Sequence, residues 1–119
     1  MKKFNVAKGK QGEAAAEEFL AKKGFELLER NHRTRYGEID LVMKDREVVV
    51  FVEVKTKTGE RFGEPWEMVD ERKLVQIERL GKMWMVKNDF DGSCRIDVVG
   101  VWLDYGAIEK IEHWQNVEA

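Results

Sequence analysis

The sequence contains few of the residues that build disulfide-linked or histidine-rich scaffolds. Its 119 residues include one cysteine, one proline and two histidines. The single thiol, Cys94, cannot form an internal disulfide, so we expect a protein of a reducing compartment, the cytoplasm. His32 and His113 lie too far apart along the chain for a histidine metal motif. Because no apolar run is long enough for a signal peptide or a membrane span, we expect no membrane contact.

The chain also carries little net charge. Charged residues make up 37% of it and hydrophobic residues 43%, but the formal net charge is only -2. This composition indicates a folded globular protein and excludes a uniformly basic coat for nucleic acid, so a nucleic-acid surface would have to be a local patch. Since no repeat, low-complexity tract or linker is present, we expect a single domain over residues 1–119.

The most informative stretch is a predicted hairpin of two apolar strands, Gly37–Met43 and Val48–Lys55. β-branched and aromatic residues dominate both segments, and the polar residues 44–47 between them are typical of a turn. The second strand is apolar on both faces, which is unusual for an edge strand and indicates a buried one.

The turn predicts how the hairpin pairs, with Asp40 opposite Phe51 and Glu38 opposite Glu53. Asp40 is then a diagonal neighbour of Glu53, about 7 Å away between β-carbons. Two carboxylates at this separation can bind one divalent cation, and their hard oxygen atoms suit Mg²⁺ or Mn²⁺. Lys55, on the same strand face as Glu53, would hold or polarise a water or a phosphate oxygen.

Each of these residues also has an ordinary structural explanation. On that explanation, Glu53 and Lys55 are exposed side chains that alternate with apolar ones along an edge strand, and Asp40 is a nearby side chain in contact with solvent. The combination of an in-phase Asp with a strongly apolar strand favours the metal site, because an unpaired charge there would be costly. Glu38 points to the same side as Asp40, so spacing alone does not choose between these two acids as the metal ligand.

Further charged residues flank the hairpin. Four of them are candidate phosphate contacts, each with a solvated surface position as the alternative: Arg33, Arg35, Lys57 and Lys73. Glu13 falls on the rim of the inner face of the first helix, where it would lean toward the carboxylates or simply be an acid favoured by the helix dipole.

The sequence also predicts the structure or role of three other segments. Residues 31–36 read as a polar turn with His32 at the surface, and the loop that follows Lys55 is expected to flank the site, with Arg61 and Trp66 as candidate nucleic-acid contacts. Arg95 and Asp97 share a strand face, which predicts an intrastrand salt bridge, with a supporting role at the site as the alternative.

Periodicity predicts an α/β fold with the order α-β-β-β-α-β, followed by one more candidate strand. Short turns make the first three strands an antiparallel meander, and the second helix is a crossover that returns the fourth strand to the same sheet. The result is a central mixed sheet flanked by two helices. The predicted elements outside the hairpin are helix Lys8–Lys23, strand Phe25–Arg30, a helix capped by Asp70 that continues toward Val86, strand Arg95–Leu103 and the segment Ile108–Trp114.

These motifs together resemble the YraN-like family of small bacterial proteins, predicted endonucleases similar to archaeal Holliday junction resolvases. The resemblance covers nearly the whole chain and rests on Gly12-Glu13, Gly37-Glu38-Ile39-Asp40-Leu41, Phe51-Val52-Glu53-Val54-Lys55, Phe62-Gly63-Glu64-Pro65, Lys73 and Arg95-Ile96-Asp97-Val98-Val99. It implies the restriction-endonuclease-like fold, in which an Asp and a Glu-x-Lys bind metal and cut phosphodiesters. It also favours Asp40 over Glu38 and counts Glu13 among the site residues.

The resulting hypothesis is a metal-dependent endonuclease that hydrolyses phosphodiester bonds in DNA, with branched or junction DNA as a candidate substrate and a homodimer as a candidate assembly. The expected catalytic residues are Glu13, Asp40, Glu53 and Lys55; Asp40, Glu53 and the carbonyl of Val54 would hold Mg²⁺ or Mn²⁺, and Arg33, Arg35, Lys57 and Lys73 would contact DNA. The rival hypothesis is a non-catalytic nucleic-acid-binding or scaffold protein on the same fold. Against it, carboxylates repel a phosphate backbone unless a cation intervenes.

Overall fold

The computed structural model describes residues 2–58 and 69–118. Its elements are α1 (Lys2–Lys22), β1 (Glu26–Thr34), β2 (Gly37–Asp45), β3 (Val48–Thr58), α2 (Glu71–Lys87), β4 (Cys94–Asp104) and β5 (Ala107–Trp114). The Phe62–Pro65 motif and the candidate contacts Arg61 and Trp66 lie outside the described residues. Within the described part, no helix is long and apolar enough to cross a membrane.

The five strands form one mixed sheet in the order β1-β2-β3-β4-β5. The first three are antiparallel neighbours, β4 lies parallel to β3, and β5 returns antiparallel along β4. A parallel neighbour requires a crossover, and α2 provides it. This arrangement confirms the predicted α/β fold, a restriction-endonuclease-like core with a mixed sheet flanked by two helices, and adds β5 as the fifth strand.

The two helices cover opposite faces of the sheet. Ala16 and Leu20 of α1 pack on a cluster that includes Val50 and Val52, whereas α2 packs on a second cluster that includes Val42 and Phe51. The second helix begins where the sequence predicts, because the Asp70 side chain accepts a hydrogen bond of 2.8 Å from the Lys73 amide. Its predicted inner face is confirmed as buried: Leu74, Ile77, Gly81 and Trp84.

Helix α1 approaches β3 closely at one point. A Cβ atom at Gly12 would overlap the side chain of Thr56, so only glycine lets the helix axis come this near to the strand. The close approach brings the next residue, Glu13, over the carboxyl end of β3. The helix itself begins at Lys2, earlier than the predicted Lys8.

The predicted polar turn at residues 31–36 is wrong for its first four positions. Strand β1 continues through Thr34, and only Arg35 and Tyr36 form the turn to β2. His32, predicted at the surface, is buried, and its Nδ1 lies 2.8 Å from Oε2 of Glu29. Pairing with β2 explains the difference, because backbone hydrogen bonds to a neighbouring strand outweigh the polar character of these side chains.

The predicted register of the β2–β3 hairpin is also wrong. Phe51 pairs with Val42 instead of Asp40, and the turn contains only Arg46 and Glu47. Arg46 adopts a left-handed conformation with φ of 58°, which a two-residue hairpin turn requires and which arginine seldom supplies. Because the register differs by two residues, every side chain of the paired part stays on the predicted face of the sheet.

Candidate active site

The sheet forks between β2 and β3. Their backbone pairing runs from Asp45–Val48 to Leu41–Val52, whereas pairing of β2 with β1 continues to Gly37 and pairing of β3 with β4 continues to Thr58. Strand ends that diverge in this way leave backbone groups without a ladder partner between them. We call this opening the fork, and the acidic residues of the two strands meet there.

Asp40 lies at the start of the fork, where the alternation of β2 is interrupted. Leu41 packs on the α1 side of the sheet, but both Ile39 and Val42 pack on the α2 side. Oδ2 of Asp40 accepts a hydrogen bond of 2.8 Å from the Val54 amide. The Asp40 carboxylate thereby accepts the hydrogen bond that a backbone carbonyl of a paired strand would otherwise accept. Since the N–H and C=O of one strand residue point the same way, the carbonyl of Val54 also faces the fork.

Glu53 is the most buried acid of the fork, with 4% of its surface exposed, and Asp40 has 7%. Burial raises the pKa of Glu53 to about 8, with a further contribution from Asp40 and opposition from Lys73 and Lys55. The Nζ atom of Lys73, on the first turn of α2, lies 3.7 Å from Oε2 of Glu53. The two carboxylates therefore retain a proton at neutral pH when no cation is bound.

Glu13 approaches the same carboxylates from α1. Burial and the nearby charge of Asp40 raise its pKa, and an interaction with the Asn31 side chain opposes this. Asn31 itself adopts a left-handed backbone conformation, with φ of 50°. A cleft of about 450 Å³ opens between α1, the fork and α2, and it is lined by Gly9, Glu13, Asp40, Glu53, Val54, Lys55, Thr56, Thr58 and Lys73.

The predicted site residues divide into two groups. All of the expected catalytic and metal-binding residues line the cleft, and so does Lys73. The other three expected DNA contacts do not. Arg33 is paired at 3.1 Å with Glu38, Arg35 donates a hydrogen bond of 2.6 Å to the Tyr36 hydroxyl, and Lys57 is exposed near the end of β3.

The geometry also bears on which acid of β2 faces the cleft. Glu38 is engaged by Arg33 and is absent from the described cleft lining, whereas Asp40 is buried inside it. The break in alternation next to Asp40 separates the two acids, although a regular strand would have placed them on one side. Asp40 is thus the better candidate ligand.

Three cleft residues escaped the sequence analysis: Gly9, Thr56 and Thr58. The two threonines were predicted in the loop after Lys55, but β3 continues through Thr58. There they alternate with Lys55 and Lys57, and a period of two would place them on the face opposite the acids. They reach the cleft because α1 crosses the end of β3, a packing relation that period-2 analysis does not contain. The pair Gly12-Glu13 was the one available signal, since a glycine inside a helix indicates close packing.

The donor atoms of the fork fit a hard divalent cation. Asp40 and Glu53 offer carboxylate oxygens and Val54 offers a carbonyl facing the fork. Among the described residues, no group of three or more His, Cys, Asp or Glu side chains converges to hold a metal. Mg²⁺ commonly uses only one or two carboxylates, with waters and substrate phosphates completing its shell, so this donor set suits Mg²⁺ or Mn²⁺ and does not suit zinc.

Comparison with known proteins identifies one family. The profile of "Uncharacterised protein family UPF0102" matches residues 12–101. A UPF0102 protein of Moorella thermoacetica is 47% identical over 98 residues, 82% of either chain. One of Pelotomaculum thermopropionicum is 42% identical over 110 residues, 91% of this chain and 92% of that one.

One solved structure also resembles this chain over most of its length. SfsA of Pyrococcus furiosus in complex with Ca²⁺ has a TM-score of 0.40 and 13% identity, over 96% of this chain and 64% of that chain. The chain thus spans less than two thirds of the SfsA chain, and a likeness this distant carries no argument about function.

Proposed function

The chain belongs to family UPF0102, the YraN-like family that its motifs resemble, and we propose that it is a metal-dependent endonuclease that hydrolyses phosphodiester bonds in DNA. The observation that carries the proposal is the buried carboxylate pair, Asp40 and Glu53, at the end of a forked sheet. Burying two ionised carboxylates away from water costs free energy, and a bound divalent cation offsets that cost.

In this proposal Asp40, Glu53 and the Val54 carbonyl hold Mg²⁺ or Mn²⁺. When bound, the cation supplies positive charge against the charge that develops on the phosphodiester and makes a nearby water more acidic. The Val54 amide fixes the rotamer of Asp40 by its 2.8 Å hydrogen bond, so the ligand is preorganised.

The remaining cleft residues have separate roles. Lys55 orients the attacking water, and Glu13, whose pKa is raised by burial, assists by accepting a proton. Lys73 lies against Glu53 before substrate arrives. A DNA phosphate entering the cleft offers Lys73 a second anionic partner, so this side chain is suited to hold the scissile strand.

DNA outside the cleft would be held by the exposed basic residues around it. Arg33 lies near the end of β1, Arg35 in the turn from β1 to β2, and Lys57 near the end of β3, where they can contact flanking phosphates. Branched or junction DNA is our candidate substrate, and a two-fold homodimer would match symmetric cleavage of two strands.

The experiment that tests the proposal is cleavage of labelled junction, flap, single-stranded and duplex DNA with Mg²⁺, Mn²⁺ or a chelator. We expect metal-dependent cutting that Lys55→Ala abolishes. The control is Lys22→Ala, which removes a lysine whose side chain is 77% exposed on α1 and should leave cutting unchanged. Failure to cut any substrate with either metal would overturn the proposal.

One observation favours the rival function, a non-catalytic nucleic-acid-binding protein. Lys73 already partly neutralises Glu53 at 3.7 Å, as an internal cation would in a protein without metal. This rival predicts DNA binding that is the same with chelator as with Mn²⁺. A metal-dependent nuclease instead gains affinity when the cation screens its carboxylates from the phosphates.

A further inference from the structure

A second depression lies beside the cleft, on the outer face of α2. It has a volume of about 840 Å³ and runs between α2 and the turn that joins β1 to β2. We call it the α2 groove; the lining residues used below are Tyr36, Glu71, Arg72, Val75, Arg79 and Met83. None of them has a part in the mechanism proposed above.

The floor of the groove is apolar although it faces solvent. Val75 is 38% exposed and Met83 48% exposed, and Tyr36 presents an aromatic ring that is 55% exposed. An exposed aromatic ring beside aliphatic side chains provides a flat surface for stacking. A nucleobase is a flat ligand of this kind, but it offers its face only when it is unpaired and unstacked.

The rim of the groove carries the charge that such a ligand requires. Arg72 and Arg79 are both exposed, and neither takes part in an ion pair within the described part of the chain. They lie seven residues apart on one helix face, about 10 Å along its axis. Arg35 adds a third guanidinium, stacked 4.9 Å from the ring centre of Tyr36. Glu71 is the single acid of the lining, so the groove carries more positive than negative charge.

The groove and the candidate active site adjoin at the first turn of α2. Lys73 lines the cleft while its neighbour Arg72 lines the groove. The turn that carries Tyr36 is fixed to α2 because Gln76 Nε2 donates a 2.8 Å hydrogen bond to the Tyr36 carbonyl. The stacking surface is therefore held at a set position relative to the cleft.

From these contacts we infer that the α2 groove binds an unpaired DNA segment that continues from the strand in the cleft. Tyr36, Val75 and Met83 receive the bases, and Arg72 and Arg79 bind the phosphates. This inference rests on the proposed function and deepens it, because it makes DNA with a single-stranded portion the preferred substrate class. A plain duplex cannot use the groove, since its base faces are stacked inside the helix.

A second copy of the chain fits the groove less well. A two-fold contact through this surface would bring the same patch of both copies together. The arginines of one copy would then face those of the other with one acid each to offset them, and such like-charge contacts oppose association.

Fluorescence anisotropy with labelled single-stranded, flap and duplex DNA, in chelator so that no cutting occurs, tests the inference. We expect the double variant Arg72→Gln/Arg79→Gln to bind single-stranded and flap DNA at least tenfold more weakly. Its slope of log affinity against log salt should fall by about 1.4, about 0.7 for each lost phosphate contact on a single strand. The matched control is Lys82→Gln/Lys87→Gln, two exposed lysines of the same helix outside the groove lining.

Tyr36→Ala separates stacking from charge. It should weaken single-stranded binding by roughly tenfold without changing the salt slope, because one stacked base contributes about 1–3 kcal/mol. Tyr36→Phe keeps the ring and should bind like the wild type. Equal binding of single-stranded DNA by wild type and the double arginine variant would overturn the inference.

Two other outcomes assign the groove to a different occupant. Loss of wild-type self-association in Tyr36→Ala, with DNA binding unchanged, would make the groove an interface between two copies. Tighter groove-dependent binding of single-stranded RNA than of DNA would replace DNA as the ligand. The binding readout also separates this inference from the nuclease proposal, since Asp40→Asn should lose cleavage and keep groove-dependent binding.

Discussion

Two buried acidic clusters in this molecule have opposite electrostatics. In the fork, Asp40 and Glu53 lie side by side, and burial with mutual repulsion raises the pKa of Glu53 to about 8. On the other side of β3, Asp97 of β4 is fully buried. Burial there acts to raise the pKa, but hydrogen bonds from His113, Arg95 and the Asn116 amide lower it overall.

The difference lies in the number of donors that each acid receives. Asp97 accepts bonds of 2.8 Å from His113 Nε2, 2.9 Å from Arg95 Nε and 3.0 Å from the Asn116 amide. Among the described residues, Glu53 forms a single ion pair, with Lys73 at 3.7 Å, and Lys55 adds a second positive charge nearby. A buried acid with a complete set of donors stabilises the fold, whereas a buried pair with too few is a candidate site for a ligand that supplies the missing positive charge.

The largest expected effect is on stability, at the fully paired cluster. Asp97→Ala leaves His113 and the Nε of Arg95 without their acceptor in the interior, while Arg95 Nη2 keeps its 3.0 Å hydrogen bond to Asp45. We expect a loss of about 3–5 kcal/mol in the free energy of unfolding. Urea denaturation followed by circular dichroism measures it, with Asp97→Asn as the milder comparison. A loss below about 1 kcal/mol would remove the contrast between the clusters.

The next largest effect is on activity, at the fork. Asp40→Asn keeps the size of the side chain but removes its charge, and we expect cleavage to fall by at least about 100-fold, because changes to groups that only support metal ligands already cost 10–100-fold. Glu38→Gln removes an acid two residues away that is paired with Arg33, and it should retain cleavage. The reverse result would make Glu38 the ligand.

The third effect concerns pH and is spread over several pH units. The carboxyl of Glu53 ionises near 4.5 in the unfolded chain and near 8 in the fold, so between these values the folded state holds a proton that the unfolded state has released. Stability in chelator should therefore fall as pH rises through this window, by up to roughly 1.4 kcal/mol per pH unit. Glu13, whose pKa is also raised, contributes in the same direction.

Glu53→Gln checks this sign, because the amide cannot ionise and should flatten the slope while stabilising the metal-free protein at the upper end of the window. Thermal unfolding at several pH values in chelator measures it. A wild type whose stability rises steadily with pH over this window would contradict the assignment.

The smallest effect is expected at the exposed pair between Arg33 and Glu38. The Arg33 side chain is 71% exposed, and surface ion pairs contribute little to stability. Arg33→Gln should change the free energy of unfolding by less than about 1 kcal/mol. If Arg33 contacts a DNA phosphate, Arg33→Gln lowers the slope of log affinity against log salt for duplex binding by about 0.9. An unchanged slope would show that Arg33 does not contact the DNA backbone.

Local sequence patterns predicted the elements and most of the cleft. Hydrophobic periodicity placed the hairpin and the buried face of α2, and Asp70 was identified as a helix cap because the chemistry of capping is local. The salt bridge between Arg95 and Asp97 is confirmed for the same reason, since strand neighbours two residues apart share a face.

What the sequence could not predict depends on contacts between distant segments. The register followed from a left-handed Arg46, a conformation that arginine seldom adopts. His32 is buried because β1 extends along β2, and His113 reaches Asp97 from β5. The clearest case is Asp40, which faces the cleft because the sheet opens beside it, and no short pattern encodes where two strands part.

The most direct test of the contrast between the two clusters is calorimetric titration of Mn²⁺ into wild type, Glu53→Gln and Asp97→Asn near pH 7, in two buffers of different protonation enthalpy. We predict saturable binding to wild type with release of a proton, because the cation displaces the proton that the fork holds. Glu53→Gln should lose both the binding and the proton release, and folded Asp97→Asn should keep both. Undiminished Mn²⁺ binding by Glu53→Gln, or none by wild type, would contradict the account.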